Sequence, residues 1–266
     1  MRVIFCAVLL LAAASVCCPA QPSPAATAAF NAYVDTVESR LARQHQSPAG
    51  FLDPASSETL KPGGLAHGDP AGDLIIDKLT PSPAPDLPGA MLHHWRGTAF
   101  VAGAHAADFE TLINNFSAYP RYFSPQVLQA AVLSAQNGHQ LVSMRVSQRH
   151  VITVVMDTTY DVVFSRLDSQ HGYSISRSTR ISEIASPGSR SEHPLPPGQD
   201  HGFLWRQNTY WSYQEQDGGL CIQVESVSLT RSIPAGLAWA IGPYVQSVPR
   251  DSLEFALRSV CNALRR

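Results

Sequence analysis

The chain closes on IPAGLAWAIGPYVQSVPRDSLEFALRSVCNALRR, residues 233–266. The two halves of this stretch differ. Residues 233–248 form an apolar, glycine-containing neck with Trp239 and Tyr244 in it. Residues 249–266 read as a helix: Leu253, Leu257, Val260 and Leu264 recur at spacings of four, three and four, which puts them on one stripe. Ala256 and Cys261 widen that stripe. Pro249 suits a helix first turn, and Asp251 and Glu254 complement its positive end. A last helix with a single apolar stripe needs a surface to lie on, and the preceding residues supply it.

Working backwards, the segments read as strands. LCIQVESVSLTR (220–231) follows the turn Asp217-Gly218-Gly219. Its alternation breaks near Glu225-Ser226, which predicts either a bulge or burial on both faces. GFLWRQNTYWSYQEQD (202–217) alternates Phe203, Trp205, Gln207, Thr209, Trp211 and Tyr213 on one side. That set is aromatic at both ends and polar in the middle, the composition of a wall around an apolar ligand. YSISRSTRISEIA (173–185) sends Arg177 inward if its odd residues face the core. Otherwise Arg180 goes inward, beside small serines. A buried arginine needs a carboxylate, either Glu225 or an acid group on a ligand. VITVVMDTTYDVVFSRLD (151–168) puts Met156, Tyr160 and Phe164 on one face. VLQAAVLSAQ and QLVSMRVSQR flank Asn137-Gly138, a strong hairpin signal. HHWRGTAFV (93–101) is one more strand, and residues 104–116 carry apolar positions at helical spacing, though His105 is a poor N-cap.

A seven-stranded antiparallel sheet needs a cover for its apolar face, and the last helix is long enough to lie along it. The order of HHWRGTAFV, ADFETLINNFSAYPRYFSPQVLQAAVLSAQNG and SVPRDSLEFALRSVCNAL over residues 91–266 resembles the START-like (SRPBCC) superfamily, which includes polyketide cyclase-like and coenzyme Q-binding proteins. The resemblance implies an α+β helix-grip fold: a curved antiparallel sheet of seven strands wrapped around a long C-terminal helix. It also implies an apolar ligand between sheet and helix. The ligand-facing candidates are Phe203, Trp205, Gln207, Thr209, Trp211, Tyr213, Tyr160, Phe164, Met156, Arg177, Arg180 and Glu225, with Trp239 and Tyr244 in a neck that closes one end.

The N-terminal part departs from a minimal member. Residues 1–20, MRVIFCAVLLLAAASVCCPA, read as a secretory signal, with Cys18 and Ala20 at the −3 and −1 positions of a cut. Val16 before Cys17 fits a lipobox poorly, so lipid anchoring at Cys17 or Cys18 is the minor reading. Residues 21–46 hold an amphipathic helix, with Phe30, Val34, Val37 and Leu41 on one stripe, that either docks or swings as an arm. Residues 47–90 form a wrapping linker: 8 Pro and 6 Gly fall within 47–89, a density that suppresses regular structure. DLIIDKL (73–79) is the island within it that can add a strand. Residues 91–266 are the ligand-binding domain.

With 19 basic and 21 acidic residues the formal net charge is −2, which gives no electrostatic footprint for nucleic acid. No HExxH, CxxC, GxSxG, P-loop or GxGxxG occurs, so neither cofactor, metal nor catalytic residue is assigned. His93 and His94 point to opposite faces of one strand and cannot share an ion. After the signal only Cys221 and Cys261 remain; two buried thiols are favoured over a bridge. The expected partner is a hydrophobic small molecule or lipid in an exported protein, with envelope or membrane contact open. A cyclase- or isomerase-type enzyme using Tyr160, Arg177, Arg180 or Glu225 is the competing reading. A third is an interaction domain with a filled core.

Overall fold

The structure, a computed structural model, describes residues 21–53, 74–81, 85, 87–149, 153–196, 198–233 and 238–265, with the backbone alone for 238–246. Residues 1–20, read above as a signal, most of the linker and the first part of the neck lie outside the described residues, as do the side chains of Trp239 and Tyr244.

Helix α1 is Pro24–Gln44; Ser23 caps it by accepting the Ala26 N–H at 3.0 Å, and Pro24 opens its first turn. Strand β1 is Leu74–Lys78 and β2 is Ala90–Ala102. Helix α2 (Ala106–Asn114) is followed by a short 3₁₀ turn at Phe116–Ala118 and by α3 (Tyr119–Tyr122). Then come β3 (Val127–Gln136), β4 (His139–Arg149), β5 (Thr153–Arg166), β6 (His171–Ala185), the two-residue β7 (His193–Pro194), β8 (Arg206–Gln216) and β9 (Gly219–Arg231). Helix α4 spans Ala238–Leu264.

The strands form one open antiparallel sheet in the order β1-β2-β9-β8-β6-β5-β4-β3, with β7 added beside β6. Among the described residues it has nine strands, against the seven predicted. The linker island supplies edge strand β1, as its sequence suggests, and β7 is the other addition.

Helix α4 begins eleven residues before Pro249, so that proline lies inside the helix and not in its first turn. The missing Pro249 N–H removes one backbone bond. Packing of the stripe outweighs that loss: Leu253, Leu257, Val260 and Cys261 are all buried against the sheet. Gly97 on β2 sets how close the helix comes. A Cβ there would lie 2.8 Å from Leu253 Cδ2 and 2.9 Å from Leu257 Cδ2, inside contact distance.

Both faces of the sheet are covered. The inner face, toward α4 and α2, buries Ala99, Val101, Leu220, Ile222, Val224 and Tyr213 with Phe109, Leu112 and Leu257. The outer face carries α1, whose Phe30, Val34, Val37 and Leu41 pack on Leu92, Tyr210, Val227 and Leu229. The stripe read from residues 26–44 is therefore a second cover, docked in place. This explains the broken alternation of β9: it pairs in unbroken register with β2 and with β8, without a bulge. Its residues are buried on both faces because a helix lies on each.

Helix α2 gains a cap from afar. His105 gives it no side-chain cap, but the Glu215 carboxylate at the end of β8 accepts the Ala106 N–H at 2.9 Å and pairs with His105 Nδ1 at 2.8 Å. These bonds, the backbone one foremost, hold the Glu215 carboxyl below its ordinary range. Cys221 and Cys261 are both free and buried, and they pack into different clusters on opposite faces of the sheet. Burial raises Cys221 to about 12 and Cys261 to about 11.

Candidate functional site

The inner face divides into two parts. Around Val101, Leu220 and Val260 it is closed and fully buried. Around Trp95, Ser226, Gln207, Thr209, Trp211, Ser176 and Ser178 the side chains are only half-buried, although all stand on the same inward-facing alternation. Among the described residues, these inward side chains keep contact with solvent, while those under residues 253–261 of α4 do not.

A polar belt crosses this part. The Gln207 backbone N–H donates to Ser178 Oγ at 2.9 Å, Gln207 Nε2 donates to Ser226 Oγ at 3.4 Å, and Tyr160 Oη donates to Gln207 Oε1 at 3.0 Å. Trp95 stands opposite Ser226 across the β2–β9 ladder. Its Nε1 is buried without a hydrogen-bond partner. A buried indole N–H without an acceptor is uncommon and costs free energy until one arrives. Trp95, Trp211 and Phe164 pack against the inner core beside the belt. Burial pushes the Tyr160 hydroxyl up to about 12, so it serves as a neutral donor. His93, on the same side, is bonded to Thr230 Oγ1 at 3.0 Å and is pushed down to about 4, by burial first and then by Lys78. Hydroxyl, amide and aromatic groups make up the belt, and the Lys78 ammonium lies at its edge, 5.9 Å from the centre of the Trp95 ring.

The structure brings together part of the predicted set. Gln207, Thr209, Trp211 and Tyr213 share the inner face with Tyr160 and Phe164. Met156 lies further along β5, fully buried, opposite Val146 and Glu183. Ser176 and Ser178 face inward, as the alternative register of their strand allows, but without Arg180; Trp95 and Ser226 join them and were not among the sequence candidates. The signal for Trp95 was available, since it alternates with Ala99 and Val101 on β2.

The other members lie elsewhere. Phe203 is exposed: β8 starts only at Arg206, after a turn at Gly202 with φ +76°, and the Phe203 N–H donates to Glu183 at 3.1 Å. Trp205 also precedes the strand, so the alternation does not bind it; it packs in the outer cluster and donates to Asp200 at 3.1 Å. Neither arginine enters the inner face. Arg177 makes two bonds of 2.7 Å to Glu38 of α1. The β5–β6 register shifts between Thr159 and Tyr160, which leaves Thr179 unpaired and sets Arg180 opposite Thr159, in solvent. Glu225 is on the outer face too, bonded to His94 Nε2 at 2.9 Å and paired with Arg40. Burial alone would raise its pKa, but these two partners outweigh burial and hold the carboxyl below its ordinary range. The carboxylate for Arg177 thus comes from α1, a source the strand pattern could not indicate.

Among the described residues no group of three His, Cys, Asp or Glu is placed to hold a metal ion. No protein-family model matches the chain, and neither does any curated protein. Solved structures similar to it include a STAR-related lipid transfer protein from Xanthomonas axonopodis, 18% identical with a TM-score of 0.43, covering 69% of this chain and 97% of that one. A START superfamily protein from Mycobacterium smegmatis is 12% identical with a TM-score of 0.40, covering 66% and 97%. The Zhui aromatase/cyclase from Streptomyces is 13% identical with a TM-score of 0.41, covering 65% and 92%. In its element order and sheet path the chain has a helix-grip α+β fold, with a further helix, α1, laid across the back of the sheet.

Proposed function

We propose that the chain is an exported binding protein for a hydrophobic small molecule or lipid, held between the inner face and α4. The observation that carries this reading is the half-buried part of the inner face, where inward side chains keep contact with solvent. Its aromatic walls flank a polar belt, and the buried Trp95 Nε1 has no acceptor. A mostly apolar wall with a few placed polar groups is the usual composition of a small-molecule site. The names of two similar structures, a lipid transfer protein and an aromatase/cyclase, agree with a hydrophobic ligand.

Binding is favoured over catalysis by where the ionisable groups stand. Arg177 and Glu225 are occupied on the outer face, Arg180 is in solvent, and Tyr160 is far from titrating near neutrality. His93, the imidazole on the inner face, is bonded to Thr230 and pushed down to about 4 by burial, away from the neutral range that suits a general acid or base. Export rests on the charged and apolar pattern of residues 1–20.

The test is a titration with an apolar fluorescent probe on protein recovered from the export compartment. Thr209→Leu and Ser176→Leu, at facing positions of β8 and β6, add volume to the open part. They are expected to weaken the probe at least about tenfold, the effect of losing about 1.4 kcal/mol, while the protein still melts cooperatively. Unchanged affinity in both would place the probe elsewhere and defeat the reading. The recovered chain is expected to start near Gln21; a chain retaining residues 1–20 would defeat export.

A further inference from the structure

We propose that the edge of the inner face at Lys78 and Trp95 receives a carboxylate of the bound molecule, so that the ligand is an elongated acid lying across the strands. This rests on the binding function proposed above.

Lys78 belongs to β1, the edge strand that the linker supplies, and stands directly opposite Trp95 of β2. Cross-strand partners share a face. Ile76, two residues earlier, packs against the inner core, so Lys78 is on the inner face as well. Its ammonium lies 5.9 Å from the centre of the Trp95 ring, and among the described residues it makes no ion pair. Asp77, next to it in the chain, is on the opposite face and pairs with Arg96 at 3.1 Å; Asp53 pairs with the same arginine at 2.6 Å. The Lys78 charge is felt at His93, which burial first and Lys78 second hold neutral. Beside this cation the Trp95 Nε1 is buried without an acceptor. Two neighbouring donors, one of them charged and neither with an acceptor, suit an anionic oxygen group.

A recess of about 220 Å³ gives that group room. Lys78, Met91, His93 and Trp95 line it together with Pro85 and Leu87, and its described lining residues include no carboxylate. The volume is below that of a site for a whole drug-sized ligand, so the recess takes one end of the molecule. The rest has a marked course along the sheet. Trp95, Ser226, Thr209 and Ser176 are successive Cα partners across β2, β9, β8 and β6, and each keeps contact with solvent. At about 4.8 Å per strand, the row from Lys78 to Ser176 is about 19 Å long. Head and body thus lie on one uninterrupted strip of the inner face, with the single full charge at its outer end.

The experiment compares two fluorescent probes with the same long acyl tail, the free carboxylic acid and its methyl ester. Each is titrated against the chain of residues 21–266 and its Lys78→Gln, Lys78→Arg and Trp95→Phe variants. The acid is expected to bind at least about tenfold tighter than the ester, equivalent to about 1.4 kcal/mol. That advantage should disappear in Lys78→Gln, survive in Lys78→Arg and shrink in Trp95→Phe, with ester affinity the same in both Lys78 variants. In a ¹⁵N-labelled sample, saturation with the acid should move the Trp95 indole proton resonance, assigned by its loss in Trp95→Phe, downfield. Equal binding of acid and ester, an acid preference that Lys78→Gln leaves intact, or an unmoved Trp95 indole resonance with the acid bound overturns the inference and leaves the apolar site standing. Failure of both probes to bind overturns both.

Discussion

Trp95 shows what a single position reveals and conceals. Its place on the inner face follows from alternation along HHWRGTAFV, but its unpartnered Nε1 depends on what β9 brings opposite. Ser226 stands there, and Gln207 from β8 engages that serine. Replacing both members of a hydrogen bond with apolar groups is often near neutral, whereas a lone buried donor is unfavourable. Trp95→Phe removes a donor with no partner. It is expected to change unfolding free energy by less than about 1.5 kcal/mol in urea melts. It should also weaken ligands that carry an acceptor, and leave a purely hydrocarbon probe unaffected. A loss of several kcal/mol would show that the indole N–H is satisfied in solution. Arg177 and Glu225 carry the opposite lesson. Charge in a strand signals that a partner is needed, but the partners Glu38 and Arg40 lie some 140 and 185 positions away along the chain (separations of 139 and 185), and no local pattern links them.

Among the elements, the C-terminal helix was legible because a 3.6-residue stripe survives any context. Its start was not, since Pro249 reads as an opening residue and here sits inside a longer helix. The helix at 24–44 was equally legible as an element, whereas its docking was not, because its target is a face assembled from β2, β8 and β9. Phe30 is the test of that docking. It is 2% exposed in the outer cluster, and Phe30→Ala is expected to cost about 3–5 kcal/mol in chemical denaturation. A helix that swung free would lose almost nothing on the same change. The exposed edge strand β3 shows how local signals mislead in detail: Asn137-Gly138 fixed the hairpin correctly, yet register shifts next to Leu128 and Leu133 turn both leucines to solvent.

For the whole molecule, helices on both faces make stability depend on buried neutral histidines. His45, under the end of α1, is pushed down to about 4 by burial first and Arg40 second; His93 on the inner face is likewise near 4, through burial and then Lys78. Their unfolded value is about 6.5. Below that value the unfolded chain takes up protons that the folded chain refuses, so their contribution is complete above about pH 6.5 and is lost as pH falls toward 4. Glu225, held below its ordinary value, acts in the same direction only in stronger acid, as pH falls through its folded pKa. Urea midpoints are expected to be level from about pH 8 to 7 and to fall between about 6.5 and 4. The His45→Gln, His93→Gln double variant should be less stable at neutrality and less steep in that window. An unchanged slope would contradict the assignment.

The central claim is that the space between the inner face and α4 is occupied by an apolar molecule. Native mass spectrometry of residues 21–266, gently purified and measured again after solvent extraction, is the test. A population carrying an added mass of lipid size that leaves with the solvent is expected, diminished in the Thr209→Leu, Ser176→Leu variant. A bare mass in both preparations, together with no uptake of added lipid, would contradict it.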